Sequence, residues 1–236
     1  MKLIHLYFNY LYNPLYDLSV AQLSPYHRLM NECLDKLKFV EGDSVLCIGV
    51  GTGNEIPAIL ERCPTVDMTG IDMSPAALRR AQKKAHKIGG TVSLVQMDAH
   101  KLDFPDESFD KVACIHVMGF LEDDEVVTRE IIRVLKKAGQ YVISYPSGAG
   151  SSDLGKEVRA SIRDSFRTGK IASVLKQCIA LVIGGIAYIP GAIWVKPQKG
   201  FYSRDRLENL LDDCSFTEYT IREDLPYQDY IVSGIK

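Results

Sequence analysis

The sequence predicts an α/β fold: a seven-stranded, mostly parallel sheet with helices on both faces, ending in an antiparallel hairpin. Three observations carry this. From Asp43 onward, short β-branched runs alternate with helical patterns. The first of those runs, "VLCIGVGTGNE", breaks into three glycines at alternate positions. From 201 to the end the rhythm changes to one helix followed by two strands.

Taken in order, "SVLCIGV" reads as a strand, "NEIPAILERC" as a helix, "DMTGID" as a second strand and Ser74 to Ile88 as a second helix. That helix is well punctuated. Ser74 caps it, Pro75 suits its first position, Leu78, Ala81, Ala85 and Ile88 share one face, and Gly89-Gly90 ends it. "TVSLVQMD", "FDKVACIHV" and "QYVISYP" continue as strands, with a helix over Asp123 to Lys137 before the last. Strand–helix alternation at this period makes a parallel sheet covered on both sides. After the helix "SRDRLENLLDDC", the strands "TEYTIRE" and "DYIVSGIK" are joined through Leu225-Pro226, a connection short enough for an antiparallel hairpin.

The 236 residues, 46% hydrophobic and 25% charged, suit a single globular domain. A net charge of −2 gives no global reason to expect nucleic acid. The six cysteines, Cys33, Cys47, Cys63, Cys114, Cys178 and Cys214, include no C-x-x-C pair and several lie in apolar runs, so buried thiols in a reducing, cytoplasmic setting are expected, without disulfides or a metal site. The amino-terminal "MKLIHLYFNYLYNPLYDL" lacks the pattern of a cleaved signal and is expected to stay on the protein.

Bare backbone at Gly49, Gly51 and Gly53 admits a ligand that Cβ atoms would exclude, and the helix start beyond offers unpaired N–H groups. The spacing is G-x-G-x-G, not the G-x-G-x-x-G of dinucleotide folds, so the third glycine is not expected to play the same helix-packing role. Asp72 ends the second strand, where a carboxylate can accept both ribose hydroxyls. Asp98 ends the third and places another acceptor along the same crevice, suited to an adenine amino group. Each aspartate alone also reads as a capping or turn residue.

The blocks "VLCIGVGTGNE", "GIDMSPAALRRAQKKA", "MDAHKLDFPDESFDKV" and "REIIRVLKKAGQYVIS" resemble, in order and spacing, the class I S-adenosylmethionine-dependent methyltransferases, in particular the ubiquinone and menaquinone biosynthesis group. The resemblance implies a Rossmann-like sheet and S-adenosyl-L-methionine as cofactor. Gly49, Gly51 and Gly53 would make room for its methionine and sugar, Asp72 would hold the ribose, Met73 would pack on the adenine, and Asp98 with the Ala99 amide would read its edge. It further implies a helical lid over 1–40, a cofactor-binding core over 41–147, an insertion over 148–200, and a closing helix and hairpin over 201–236. Two positions depart from the family pattern. Cys47 replaces a common aspartate near the cofactor's ammonium group, a place that Glu55 could take over, and Ala138-Gly139-Gln140 replaces Pro-Gly-Gly, a variation expected in a turn.

Methyl transfer needs alignment and exclusion of water, and a base only when the acceptor must lose a proton. His116, at the end of the fourth strand, is the candidate base, or alternatively a wall of the cofactor pocket. His100 is expected to face solvent. Tyr12, Tyr16, Tyr26, His27 and Arg28 lie in the segment that would form the lid, where one of them would touch the acceptor and most would pack.

The insertion has two halves. Lys156, Arg159, Arg163, Arg167 and Lys170 form a basic helical stripe, with Val158, Ile162 and Phe166 on the neighbouring face. Gln177 to Val195 carries no charge, and breaks at Gly184-Gly185 and Pro190-Gly191 argue against a spanning helix. An apolar cover over the site, a docking element for anionic lipid, and a solvated face with added core all fit this pattern. The function expected is methyl transfer to a small, lipophilic acceptor such as a quinone precursor, an isoprenoid-linked ring or a lipid. The alternatives are a natural-product N- or O-methyltransferase with a soluble acceptor, and a methyltransferase-like binding module without catalysis. The oligomeric state is left open.

Overall fold

The computed structural model describes residues 13–89, 92–147, 152–194, 201–216, 218–224 and 229–236. Tyr12, Gly90 and the Leu225-Pro226 connection lie outside them. Helices α1 (Asn13–Tyr16) and α2 (Ser24–Leu34) flank a 3₁₀ turn at Val20–Gln22. Then follow β1 (Ser44–Ile48), α3 (Glu55–Arg62), β2 (Asp67–Asp72), α4 (Pro75–Lys87), β3 (Val92–Gln96), β4 (Phe109–Cys114), α5 (Asp124–Val134) and β5 (Leu135–Pro146). Helices α6 (Ser152–Arg167), α7 (Ile171–Trp194) and α8 (Arg204–Asp213) precede β6 (Glu218–Asp224) and β7 (Asp229–Ile235).

The seven strands form one sheet in the order β3-β2-β1-β4-β5-β7-β6. β1 to β5 run parallel, and β7 is antiparallel to both β5 and β6. The chain reverses direction across the sheet between β3 and β4, which opens a crevice at the carboxyl ends of β1 and β4.

Alternation within each strand divides the core. Val45 and Cys47 of β1 face a cluster built with Leu29 and Leu34 of α2, Ile56 and Ile59 of α3, and Ala81 and Ala85 of α4. Leu46 and Ile48 face the opposite cluster, with Val127, Ile131 and Val134 of α5 and Leu207 and Leu211 of α8. Both faces are therefore dry, which is why the central strands read as apolar runs rather than alternating ones.

Local punctuation holds at α4: the Ser74 side chain accepts a hydrogen bond from the Ala77 amide, Pro75 opens the helix and Gly89 is left-handed. Three expectations need correction. The helix expected to reach Lys137 stops at Val134, because Leu135 is taken into the ladder opposite Phe109. Ala138-Gly139-Gln140 is consequently an irregularity inside β5, with Ala138 at φ 59°, rather than a turn before it. The glycine and proline pairs at 184–185 and 190–191 do not break the insertion, since α7 runs continuously from Ile171 to Trp194.

Gly53 does pack against a helix, though not in the dinucleotide manner. At φ 79° it lies so close to α4 that an added Cβ would sit 2.8 Å from the Ala81 Cα. Gly53→Ala is expected to destabilise the protein by about 1–3 kcal/mol from overpacking. Gly42→Ala, also left-handed at φ 80° but with nothing within 4 Å, provides the control for backbone strain alone. Urea midpoints for the two variants should differ, with Gly53→Ala the lower.

Candidate active site

A cavity of about 850 Å³ opens at the carboxyl ends of β1, β2, β3 and β4. Its floor is the loop from β1 to α3. Gly49 is left-handed at φ 65° and faces the Val117 side chain so closely that a Cβ would collide with it. Gly51, at φ 52°, is different: an added Cβ would meet nothing nearer than the Gly49 carbonyl oxygen at 3.8 Å. Its missing side chain thus leaves ligand space rather than protein packing.

Asp72 holds this loop in shape. Its Oδ2 accepts a hydrogen bond from the Gly51 amide at 2.9 Å, and its Oδ1 accepts one from the Ser74 amide at 2.7 Å. Burial raises its pKa above the usual carboxylate value, against the pull of those two amides. Met73 follows with half its surface exposed into the cavity mouth.

Asp98 and Ala99 line the same cavity from the end of β3. His100 is not the solvent-facing residue expected. Its Nε2 accepts a hydrogen bond from the Asp123 amide at 3.1 Å, which leaves the proton on Nδ1, 2.7 Å from Asp98 Oδ1. The His100 amide donates to the same oxygen at 2.9 Å. Burial would raise the Asp98 pKa, but the His100 amide and ring outweigh it and hold the carboxyl below its ordinary value. His100, anchored by the amide that precedes α5, therefore orients Asp98, a relation that sequence adjacency hinted at but could not orient.

Glu55, at the start of α3, is buried and lines the cavity. Cys47 is walled off from it. Burial pushes its thiol pKa up, and it meets Glu55 only across a small void, which both residues line. Burial, chiefly, raises the Glu55 pKa to about 7, while its own backbone amide, His116 and Lys84 pull it down.

His116 sits just past β4 in a left-handed backbone conformation, φ 60°. Its amide donates to Ser144 Oγ at 2.8 Å, which helps to hold that uncommon geometry. The imidazole stacks on Tyr26, with ring centroids 5.0 Å apart, and its Nδ1 lies 3.6 Å from Asp229 Oδ2 at the start of β7. Asp229 is separated from His116 by more than a hundred residues, and no local motif announced it.

The residues before β1 close over this arrangement. Asn13 Nδ2 donates to Ser74 Oγ at 2.9 Å, and Asp17 accepts from Thr52 Oγ1 at 2.6 Å and from Lys84 Nζ at 2.8 Å. Tyr16 and Tyr26 line the cavity. His27 is exposed, and Arg28 turns away to bind Glu157 of α6 and the buried Asp224 of β6.

A parallel sheet with this strand order, a glycine-rich first loop and acidic ends on the next two strands defines a class I S-adenosylmethionine-dependent methyltransferase fold. Residues 46–143 match the methyltransferase domain family, a class whose cofactor is S-adenosyl-L-methionine. The chain is 42% identical over 104 residues to a phosphatidylethanolamine N-methyltransferase of Cereibacter sphaeroides, covering 43% of this chain and 50% of that protein. It is 33% identical over 99 residues to a demethylmenaquinone methyltransferase of Thermus thermophilus, covering 42% and 45%. The chain thus spans about half the length of these relatives. A solved SAM-dependent methyltransferase structure from Aquifex aeolicus shares the fold at TM-score 0.59 and 15% identity, over 87% of this chain and 88% of that one. The site fits the cofactor of the class, since the space over Gly51 is one that a side chain would fill and carboxylates border the same cavity.

The Glu55 carboxyl gives a pH test. Its pKa in the fold, about 7, lies above its ordinary value of 4.5. The folded state therefore holds the proton longer than the unfolded chain does. This contribution to stability is complete below about pH 4.5 and is lost as pH rises through about 7. Glu55→Gln should remove that loss, so the variant gains on the parent with rising pH, by on the order of 3 kcal/mol at the plateau. Urea midpoints compared across this range would show the two curves diverging.

Proposed function

We propose that the protein transfers a methyl group from S-adenosyl-L-methionine to a small, lipophilic acceptor. One observation carries the reading: the cavity that contains the bare glycine loop and the two strand-end aspartates is also lined by Tyr16, Tyr26, Ile115, Val117, Phe120 and Leu121, with His116 among them. A polar nucleoside-type site and an apolar chamber share one enclosure. The relatives named above fit such an acceptor, one acting on phosphatidylethanolamine and the other on a menaquinone precursor by their names.

The cofactor supplies an electrophilic methyl group on a sulfonium. In this reading Asp72 accepts from ribose hydroxyls with the lone pairs its two amide donors leave available. Asp98, kept ionised through His100, would hold the adenine amino group together with the Ala99 amide, and Met73 would pack on the ring. Gly49, Gly51 and Gly53 allow the loop to approach the cofactor, and Glu55 faces its ammonium group in place of the absent aspartate at position 47. His116 takes a proton from the acceptor when one must leave. Tyr26 holds the imidazole in plane, and an Asp229 carboxylate oxygen lies 3.6 Å from its Nδ1. The segment from Asn13 to Tyr26 acts as the lid that keeps water out, and the acceptor's apolar character places the enzyme at a membrane surface.

Calorimetric titration with S-adenosyl-L-methionine is expected to show binding that weakens about tenfold or more in both Asp72→Ala and Asp98→Ala, since each removes a charge-assisted hydrogen bond. NAD should not bind. Failure of the folded parent to bind S-adenosyl-L-methionine would support a binding module in which Cys47 has disabled the site. His116→Ala is expected to lower kcat about 100-fold or more while leaving cofactor affinity intact. An unchanged kcat would make His116 a wall of the pocket. Acceptor screens in detergent should favour apolar substrates, and turnover confined to water-soluble amines or phenols would select the natural-product alternative.

A further inference from the structure

Over residues 171–184, helix α7 is turned inside out. Ile171, Leu175 and Val182, on one face, are 59%, 60% and 66% exposed, and Ile179 beside them is also in solvent. The face packed against the protein carries Ser173, Gln177, Ala180 and Gly184 instead. Gln177 is 4% and Ala180 1% exposed. Gln177 Nε2 donates to Ser173 Oγ at 3.3 Å, and Gly184 approaches Ser19. An ordinary surface helix does the reverse, burying its aliphatic stripe and wetting its polar one.

The neighbouring helix supplies charge. Lys156, Arg159, Arg163 and Arg167 are exposed along the outer face of α6, with Phe166 67% exposed at its edge, and Lys170 and Lys176 continue the basic character into α7. Of the three acids on α6, Asp153 stands at its start, Glu157 is drawn to Arg28, and Asp164 is exposed among the cations. Both helices rest on the cover of the cavity: α6 packs on α2, which carries Tyr26, and α7 on α1, which carries Tyr16.

We infer that the α6–α7 hairpin is a docking surface for an anionic phospholipid bilayer, with the aliphatic face of α7 inserted at the headgroup boundary and the α6 cations on the lipid phosphates. This rests on the lipophilic-acceptor reading and extends it, because the docked face lies directly behind the segment that covers the cavity. No helix among the described residues is long and apolar enough to cross a membrane. A surface-lying arrangement is the one that buries an aliphatic stripe while keeping adjacent cations hydrated. Charge complementarity selects lipid over a second copy of the chain, since two such basic faces would repel each other.

The test is sedimentation of the full chain with vesicles of phosphatidylcholine alone or mixed with phosphatidylglycerol. Binding is expected only to the mixed vesicles, weakening as salt rises from about 0.1 M to about 1 M. Arg159→Glu/Arg163→Glu/Arg167→Glu and, separately, Leu175→Ser/Ile179→Ser/Val182→Ser should each lower partitioning about tenfold or more. All of these side chains are exposed, so both variants should keep the parent's circular dichroism and cofactor affinity. No binding to mixed vesicles, or binding that neither variant weakens, overturns the proposal. So does a dimer in light scattering that the serine variant dissolves while vesicles are ignored. If vesicles are ignored but a detergent-dispersed lipophilic acceptor is methylated, only the docking surface fails. If vesicles bind through this face but no lipophilic acceptor is methylated, docking stands and the acceptor assignment fails.

Discussion

The Asp72 carboxylate receives the amides of Gly51 and Ser74, and these two hydrogen bonds tie the first two crossover connections to one another. The constraint runs outward from there. A loop held this way must pass through left-handed conformations at Gly49, Gly51 and Gly53. It then presses so closely on α4 that Gly53 has no room for a Cβ beside Ala81. Ser74, fixed at its amide by Asp72, caps α4 with its hydroxyl and receives Asn13 on the same oxygen. The floor of the cavity, the start of a helix and the attachment of its cover are thus set by one side chain.

The cavity separates its acids by environment. Asp98, at the mouth, is kept ionised by a histidine whose tautomer is set by the Asp123 amide. Glu55, in the interior, is pushed close to neutrality by burial. A charged acceptor thus sits where water still helps to solvate it, and a carboxyl able to carry or release a proton sits where it does not. The bound cation of a sulfonium cofactor would bear on the second group far more than on the first, because charges interact more strongly where water is excluded.

Ionic contacts add to apolar packing in holding the outer elements to the sheet. Arg28 joins α2, α6 and β6 through Glu157 and Asp224. Asp17 joins the residues before β1 to Thr52 and Lys84. The Asp17 contacts are compatible with a cover that opens to admit an acceptor, because partly exposed ion pairs exchange readily with water. The sheet beneath, dry on both faces, has no such freedom.

The order of strands and helices, the glycine loop and the two strand-end aspartates were legible in the sequence, because each depends on local spacing: β-branched runs, caps, and bare backbone after a strand. Single-residue chemistry was legible to the same extent, so His116 could be placed at the end of β4 but not given partners. Its stacking on Tyr26 and its approach to Asp229 join three distant parts of the chain, and only the folding of α2 and β7 onto the sheet brings them together. The same holds for His100, whose direction depends on where the start of α5 offers an amide. Composition alone made α7 an apolar segment. Which of its faces is buried depends on the surface it meets, and that surface accepts small and polar side chains and leaves the aliphatic ones outside.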